Sequence, residues 1–368
     1  MFTIITIAYW KLPFLKKTIN SCLNQTYKDI ELIIVNNGAF EDIIIYINKI
    51  AKLDKRVKII NYEENIFSWD DPELMSQVCL NAALKSAKGD YVFFTSYDDP
   101  MALDYVERMV RLFEDNPDCT SAAGRPVSID ANDSVNKEEL NNRKTNFRSK
   151  YMPGHELALA TLEHKSRVFG APGTIFTFKR DVLLKYGGFH RAIELGHLYG
   201  IVPFGVTGFD EDAIYYWRRH EGQLHLAVTS RGQIGTKDVF SMIEDLDLEN
   251  KWSIYGDDVA RDVVKVIKNQ QAKIAATWFS QNLFKLRISA CIKIVRDIWS
   301  QPKFWFYLPK TIFRPWRLLR SLLRSFLISL FHINKPILKP ILNYVDKKYP
   351  RLNGQSAIFN KLMLKVKE

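Results

Sequence analysis

The chain has 368 residues, of which 47% are hydrophobic and 25% are charged, and its formal net charge is +11. This composition excludes a disordered, collagen-like or mucin-like protein, and the length predicts about two domains. The four cysteines are widely spaced, which argues against a zinc knuckle or a secreted disulfide framework and favours a reducing compartment.

The chain opens with an apolar, β-branched run from Phe2 to Ala8. No basic residue precedes this run, so it predicts a strand and not a signal peptide. No uncharged apolar stretch of the sequence approaches the length of about 18 residues that a membrane-spanning helix needs. We therefore expect no such helix.

Four short apolar runs alternate with helical segments in the first 130 residues. They are Phe2 to Ala8, Ile30 to Val35, Val57 to Tyr62 and Tyr91 to Thr95. Nearly continuous apolar runs of this kind are typical of strands buried on both faces of a parallel sheet. The alternation predicts an α/β fold with right-handed crossovers, a doubly wound sheet and a site at the carboxyl ends of the strands.

The rest of the chain changes character twice. A polar stretch over residues 130–165 is followed by a short apolar run from Thr174 to Phe178, and we expect a helix to begin near Asp210. From about Gly256 the pattern is helical, and it later becomes basic and aromatic. We therefore predict an α/β domain over residues 1–255 and a helical, basic extension over residues 256–368.

Two adjacent acids, Asp98 and Asp99, directly follow the fourth predicted strand. Carboxylates at the carboxyl end of a parallel strand point into the crevice where ligands bind. Such a pair suits a divalent cation shared with a substrate diphosphate. The alternative is that Asp99 caps the next helix, which Pro100 could open.

A second acidic group, Asp210-Glu211-Asp212, comes where we expect a helix to start. A carboxylate fixed at a helix N-terminus is a precise position for a general base. The same acids could instead stabilise the helix dipole only. His220 and His225 follow and could supply a metal ligand or an acceptor contact, or serve only as satisfied structural residues.

The order of these segments resembles the family 2 glycosyltransferases of the GT-A fold, over roughly residues 2 to 225. The helix that ends in Leu23-Asn24-Gln25-Thr26-Tyr27 is similar to the family's S-x-L-N-Q-T-Y segment. Further matches are the segments Glu31–Gly38 (family E-I-I-V-V-D-D-G-S), Asn81–Tyr91 (N-x-G…A-K-G-E-Y), Lys179–Phe189 (R-R-E-x-L…G-G-F-D) and Glu211-Asp212 (E-D).

The resemblance implies a role for each matching residue. Ala8, Tyr9 and Asn36 would line the nucleoside pocket. Asp98 and Asp99 would hold Mg²⁺ or Mn²⁺ and the diphosphate. Asp212 would take the proton from the acceptor hydroxyl, with Glu211 supporting it, in a displacement that inverts the anomeric carbon.

The sequence departs from the family pattern at three positions. Asn36 stands where the family usually has the Asp that recognises the base, and an amide lacks the charged acceptor. Ser96 replaces the first acid of the acidic motif, and Leu80 replaces the basic residue that commonly precedes Asn81. These departures leave the identity of the donor open.

The positive charge is concentrated near the end of the chain. Residues 273–368 have a net charge of +16, whereas the first 272 residues have a net charge of −5. A stripe of arginines at helical spacing lies beside Leu, Phe and Trp, and consists of Arg314, Arg317, Arg320 and Arg324. With Phe304 to Tyr307 at headgroup depth, this pattern predicts that residues 301–333 bind an anionic membrane surface.

Other partners for the basic region are a second subunit or the protein's own core, and the oligomeric state stays open. Nucleic acid explains the charge less well, because no base-reading module accompanies it. Trp217 could stack on a sugar or belong to the core.

The sequence as a whole predicts an inverting, metal-dependent glycosyltransferase at the inner face of the cell membrane. It would move a sugar from a nucleotide-sugar donor, with a UDP-sugar expected, to a cell-surface glycan or lipid-linked acceptor. One alternative is a nucleotidyltransferase, but Ile7 to Trp10 lack the glycine-rich phosphate loop which that chemistry needs. The other is a non-catalytic, membrane-bound interaction protein, which Asn36 and Ser96 keep open.

Overall fold

Eight strands form one mixed sheet. They are β1 Phe2–Ala8, β2 Ile30–Asn37, β3 Val57–Tyr62, β4 Tyr91–Phe94, β5 Cys119–Ile129, β6 Tyr151–Pro153, β7 Phe176–Lys179 and β8 Val206–Arg218. In the sheet they lie in the order β3-β2-β1-β4-β7-β5-β8-β6. This computed structural model describes residues 1–69, 71–141, 149–162, 175–191, 193–223, 243–284, 287–299 and 301–312.

The helices connect the strands and then continue beyond the sheet. They are α1 Leu12–Leu23, α2 Glu41–Leu53, α3 Leu74–Ser86, α4 Tyr105–Asp115, α5 Lys137–Asn141, α6 Gly154–Leu162, α7 Arg180–Lys185, α8 Ile193–Gly200, α9 Leu248–Trp252, α10 Asp257–Phe284, α11 Ile288–Ile298 and α12 Pro302–Ile312. Helix α3 packs against β1 and β2, and α4 packs against β5 and β8.

The first four strands are parallel, and the side chains of β1, β2 and most of β4 are buried on both faces, whereas Val57 is the one buried residue of β3. The register pairs Ala8 at the end of β1 with Asn36 near the end of β2. The predicted α/β architecture is therefore confirmed, and the carboxyl ends of these strands form a common edge.

The short strand β7 lies antiparallel between β4 and β5. Because β5 is antiparallel to β7 in its turn, β5 runs in the same direction as β4, and β8 is parallel to β5. The carboxyl ends of β5 and β8 therefore lie at the same edge of the sheet as Asp98 and Asp99.

The prediction of a helix starting near Asp210 is wrong, because this segment belongs to β8. The run Ile214 to Trp217 is β-branched and aromatic, which favours a strand once β5 is available for pairing. Residues 210–213 bulge between the pairs Ala123–Phe209 and Arg125–Ile214. Opposite the bulge stands Gly124, where a Cβ atom would lie 2.4 Å from the carbonyl oxygen of Ala213.

The chain after residue 256 is helical through residue 312, as predicted. Val259, Val263 and Ile267 in the first half of α10 pack on the main core. The second half of α10 forms a separate apolar cluster with α11 and α12. Within the described ranges, no helix is both long and apolar enough to cross a membrane. The domain boundary at residues 255 and 256 stays a prediction.

Candidate active site

The acids Asp98 and Asp99 follow β4 and are both buried. The Asp99 carboxylate accepts hydrogen bonds from the Tyr215 hydroxyl at 2.7 Å and from the backbone N–H of Arg218 at 2.8 Å. Burial, followed by the charge of the neighbouring Asp98, raises the pKa of Asp99 well above its ordinary value. Two adjacent carboxylates in a dry position favour binding of a cation between or beside them.

The other acid, Asp98, is held by His220. The Nε2 atom of His220 lies 2.9 Å from an Asp98 carboxylate oxygen. The Nδ1 atom of the ring lies 3.1 Å from both the Lys11 ammonium and the backbone N–H of Gly222. Because both of these groups donate hydrogen bonds, Nδ1 is the acceptor, and the Nε2–H group donates the hydrogen bond to Asp98. His220 therefore orients Asp98, while His225 lies outside the described residues.

The sequence did not reveal the role of Arg218, whose side chain is fully buried beside the acids. Its guanidinium donates to the carbonyl oxygens of Asp98 at 2.9 Å and Asp130 at 3.0 Å. It forms an ion pair with Asp133 at 2.6 Å and stacks over the Phe14 ring. The sequence shows only two adjacent arginines after an aromatic run, and this pattern does not indicate a contact with acids more than a hundred residues away.

The residues predicted to form the nucleoside pocket lie at the same edge of the sheet. Asn36 donates to the side-chain oxygen of Asn61 and accepts from the backbone N–H of Ala39, both at 3.0 Å. The Tyr9 ring stacks against Phe40 with 5.9 Å between ring centroids. The pairing of Ala8 with Asn36 brings the predicted pocket residues to one place.

The predicted catalytic pair lies elsewhere on β8. Glu211 and Asp212 are part of the bulge, where the Arg125 guanidinium donates to the Glu211 carbonyl at 2.8 Å. Asp212 is exposed, and on the same strand it precedes by three residues Tyr215, whose hydroxyl bonds the Asp99 carboxylate. The catalytic role of Asp212 stays a prediction.

The donor set around Asp98 and Asp99 consists of carboxylate oxygens, which are the ligands that Mg²⁺ and Mn²⁺ prefer. Among the described residues, no group of three or more His, Cys, Asp or Glu side chains could hold a metal ion by itself. The pair therefore fits a divalent cation whose remaining ligands come from a substrate diphosphate and water.

Comparisons with known proteins agree with this architecture. The family model described as glycosyl transferase family 2 matches residues 3–187. An uncharacterised glycosyltransferase of Haemophilus influenzae is 34% identical over 116 residues, which is 32% of this chain and 43% of that protein. The hyaluronan synthase of Pasteurella multocida is 26% identical over 294 residues, covering 75% of this chain and 28% of the synthase. The chain thus spans well under two thirds of these relatives.

A solved structure of S. aureus TarS, residues 1–349 in complex with UDP-GlcNAc, superimposes with a TM-score of 0.52. The two proteins are 14% identical, and the match covers 99% of this chain and 90% of that one. At this identity the likeness is one of fold. It extends to the helices that follow the sheet.

Proposed function

This chain belongs to glycosyl transferase family 2, and on that premise we propose that it moves a sugar from a nucleotide-sugar donor to a hydroxyl group of a glycan or lipid-linked acceptor. The protein is a glycosyltransferase with a GT-A fold. The observation that carries the proposal is the buried Asp98–Asp99 pair, which shares the carboxyl edge of the sheet with Ala8 and Asn36. A UDP-sugar is the donor we expect.

In this proposal the paired acids bind the metal ion and the diphosphate of the donor. Asp98 and Asp99 would hold Mg²⁺ or Mn²⁺, which when bound stabilises the negative charge of the departing nucleoside diphosphate. His220 and Arg218 keep the two acids in position through the hydrogen bonds described above. The Lys11 ammonium, directly before α1 and 3.1 Å from His220, adds positive charge where the diphosphate would lie.

The base in this proposal is Asp212, which takes the proton of the attacking acceptor hydroxyl as the anomeric carbon inverts. Its position on β8 supports this role, because Tyr215, three residues further along the strand, bonds the Asp99 carboxylate.

The test of the proposal is release of nucleoside diphosphate from a panel of nucleotide sugars, with and without Mg²⁺ and Mn²⁺. We expect release from at least one donor and its loss in Asp98→Asn. Asp118→Asn, which changes an exposed acid, is the matched control and should behave as wild type. A wild-type protein that binds and cleaves no donor would contradict the proposal and favour a non-catalytic role.

We also propose reversible attachment to the inner face of the cell membrane through residues 301–333. The four arginines of the predicted stripe lie outside the described residues. Within the predicted aromatic segment, Phe304 is buried in the second core and does not face a headgroup region, which corrects that part of the prediction. Trp305 and Phe306 are 45% and 53% exposed.

The preceding helix adds apolar surface beside these residues. Ile292 of α11 and Trp299, directly after this helix, are 64% and 68% exposed. The Trp305 indole donates to the Trp299 carbonyl at 2.6 Å. The Lys310 ammonium lies 3.5 Å from the centre of the Phe306 ring. Exposed Trp and Phe beside lysines fit the interface of an anionic bilayer, and this supports the proposal.

A further inference from the structure

A cavity of about 230 Å³ lies at the carboxyl ends of β5 and β8 and has no part in the chemistry described above. Its walls include Ser128 and Asp130 at the end of β5, Asn136 from the following turn, and Arg219 directly after β8. The volume equals that of about eight water molecules and is below the range of about 300–1,000 Å³ for drug-sized ligands. The space therefore fits one sugar unit or part of one.

The cavity lies close to the paired acids. Arg218, the chain neighbour of Arg219, donates to the carbonyl oxygen of Asp98 on one side and to that of Asp130 on the other. In the sheet, β5 and β8 lie beyond β4 and β7, on the side opposite to the predicted nucleoside pocket on β1 and β2. A ligand in this cavity would therefore approach the acids from the side away from the nucleotide.

Two acceptor oxygens of the cavity wall are already used. The Asn136 side-chain oxygen accepts the backbone N–H groups of Glu138 and Glu139. One Asp130 carboxylate oxygen accepts those of Asn132 and Ser134. These bonds leave the second Asp130 carboxylate oxygen as an acceptor beside the donors described next.

The donors are available. The Arg219 guanidinium lies 3.3 Å from the centre of the Trp217 ring. Among the described residues, neither this guanidinium nor the Asn136 amide nitrogen donates a hydrogen bond. The cavity consequently presents hydrogen-bond donors to whatever enters it.

The electrostatics of Arg219 differ from those of the ion-paired arginines. Burial lowers the pKa of Arg219, although the charges of Glu139 and Asp99 act in the opposite direction. Bonded carboxylates raise the pKa of Arg56 and Arg108. Arg219 is exposed and has no bonded carboxylate among the described residues, and an incoming anion would supply one.

We propose that this cavity is an acceptor subsite for a sugar unit that carries a carboxylate or a phosphate ester, bound by the Arg219 guanidinium and the Asn136 amide. The inference rests on the proposed function, because it assigns the class of acceptor for the same reaction. A planar guanidinium bonds two oxygens of such a group at once, which a neutral hydroxyl cannot match.

The experiment measures binding of glucuronic acid, glucose 6-phosphate and glucose to the full chain by saturation-transfer NMR and calorimetry. We expect at least one anionic sugar to bind about tenfold more tightly than glucose, which corresponds to about 1.4 kcal/mol. The two anionic probes distinguish a carboxylate from a phosphate. In Arg219→Gln and Asn136→Ala, the affinity for the anionic sugar should fall toward the affinity for glucose.

The control variant is Arg261→Gln, which changes an exposed arginine of α10 and should keep the preference. The two test substitutions lie on different segments, so loss of folding in one still leaves the other as a test. Equal affinity for glucose and both anionic sugars, or an unchanged preference in both test variants, would overturn the inference. Failure of the proposed function has a different outcome, namely no diphosphate release from any nucleotide sugar by wild type.

Discussion

Replacing Glu31 should lower the free energy of unfolding, because this residue holds together the part of the sheet formed by β1 to β4. Glu31 belongs to the segment Glu31–Gly38, which is similar to a motif of the family. Glu31 is 4% exposed. One of its carboxylate oxygens accepts the Thr3 hydroxyl at 2.7 Å and the backbone N–H groups of Lys88 at 2.5 Å and Gly89 at 3.2 Å. The other oxygen pairs with the Lys58 ammonium. A single carboxylate thus joins β1, β2, β3 and the turn before β4.

The magnitude follows from which donors lose their acceptor. In Glu31→Ala, the Thr3 hydroxyl and the Lys88 N–H lose their acceptor, whereas the Gly89 N–H keeps its bond to the Thr3 hydroxyl oxygen at 3.0 Å. At about 1–3 kcal/mol for each unsatisfied group, the loss is about 2–4 kcal/mol after partial relaxation. Lys58 is 38% exposed and can be solvated by water, so its pair adds little. Glu31→Gln retains an oxygen for the same three donors and should lose only about 1 kcal/mol.

The two variants should also differ in their response to acid. Burial alone would raise the pKa of Glu31, but the Lys58 ion pair and the bonds from Lys88 and Thr3 outweigh it and hold the pKa below the ordinary 4.5. The stabilisation is therefore fully present above pH 4.5 and is lost as the pH falls through the lowered pKa of the folded state. Glu31→Gln should lack this component of acid sensitivity.

Urea unfolding, followed by circular dichroism at neutral and mildly acidic pH, measures both effects. Glu114→Ala, which removes an exposed acid, is the control and should change the free energy of unfolding by less than about 0.5 kcal/mol. Equal losses in Glu31→Ala and Glu31→Gln would refute the reasoning, because the argument depends on the oxygen that glutamine retains.

Three further predictions concern activity and attachment. Excess EDTA and the substitution Asp99→Asn should each abolish diphosphate release, with the circular dichroism spectrum unchanged; full activity in EDTA would contradict the metal role. Asp212→Asn should keep nucleotide-sugar binding but slow transfer by about 10²-fold or more, and a wild-type rate would move the base to Glu211. Each basic residue near an anionic bilayer contributes about 1 kcal/mol, so replacing four arginines with Glu should release the protein from anionic vesicles while transfer to a soluble acceptor analogue survives. The replaced residues are Arg314, Arg317, Arg320 and Arg324. Failure of the wild-type protein to bind anionic vesicles at low salt would disprove the attachment.

The part of the sheet formed by β1 to β4 was predictable because the sequence patterns that indicate its strands are local. Each of the first four strands is a largely apolar run, and three of the four begin and end within one residue of the predicted bounds. Since parallel strands share a carboxyl edge, the sequence alone places Asp98 and Asp99 beside Ala8 and Asn36. Short-range patterns were sufficient for this part.

The part of the sheet formed by β5 to β8 was not predictable in the same way. Acids followed by Ile214 to Trp217 suit either a helix start or a strand, and the choice depends on pairing with β5, which is distant in the chain. The bonds from Arg218 and His220 to the acids span more than a hundred residues. No periodicity within one segment reports such contacts, so the positioning of the acids became visible only in three dimensions.

The antiparallel insertion of β7 has a consequence for how the protein is made. Both neighbours of β5 in the sheet, β7 and β8, follow it in the chain. When Ile129 leaves the ribosome, strands β1 to β4 can already pair with one another, but both edges of β5 are still unpaired. Unpaired strand edges readily join other chains. The yield of native enzyme should therefore depend on how fast the ribosome delivers the residues through Arg218, which complete the sheet around β5.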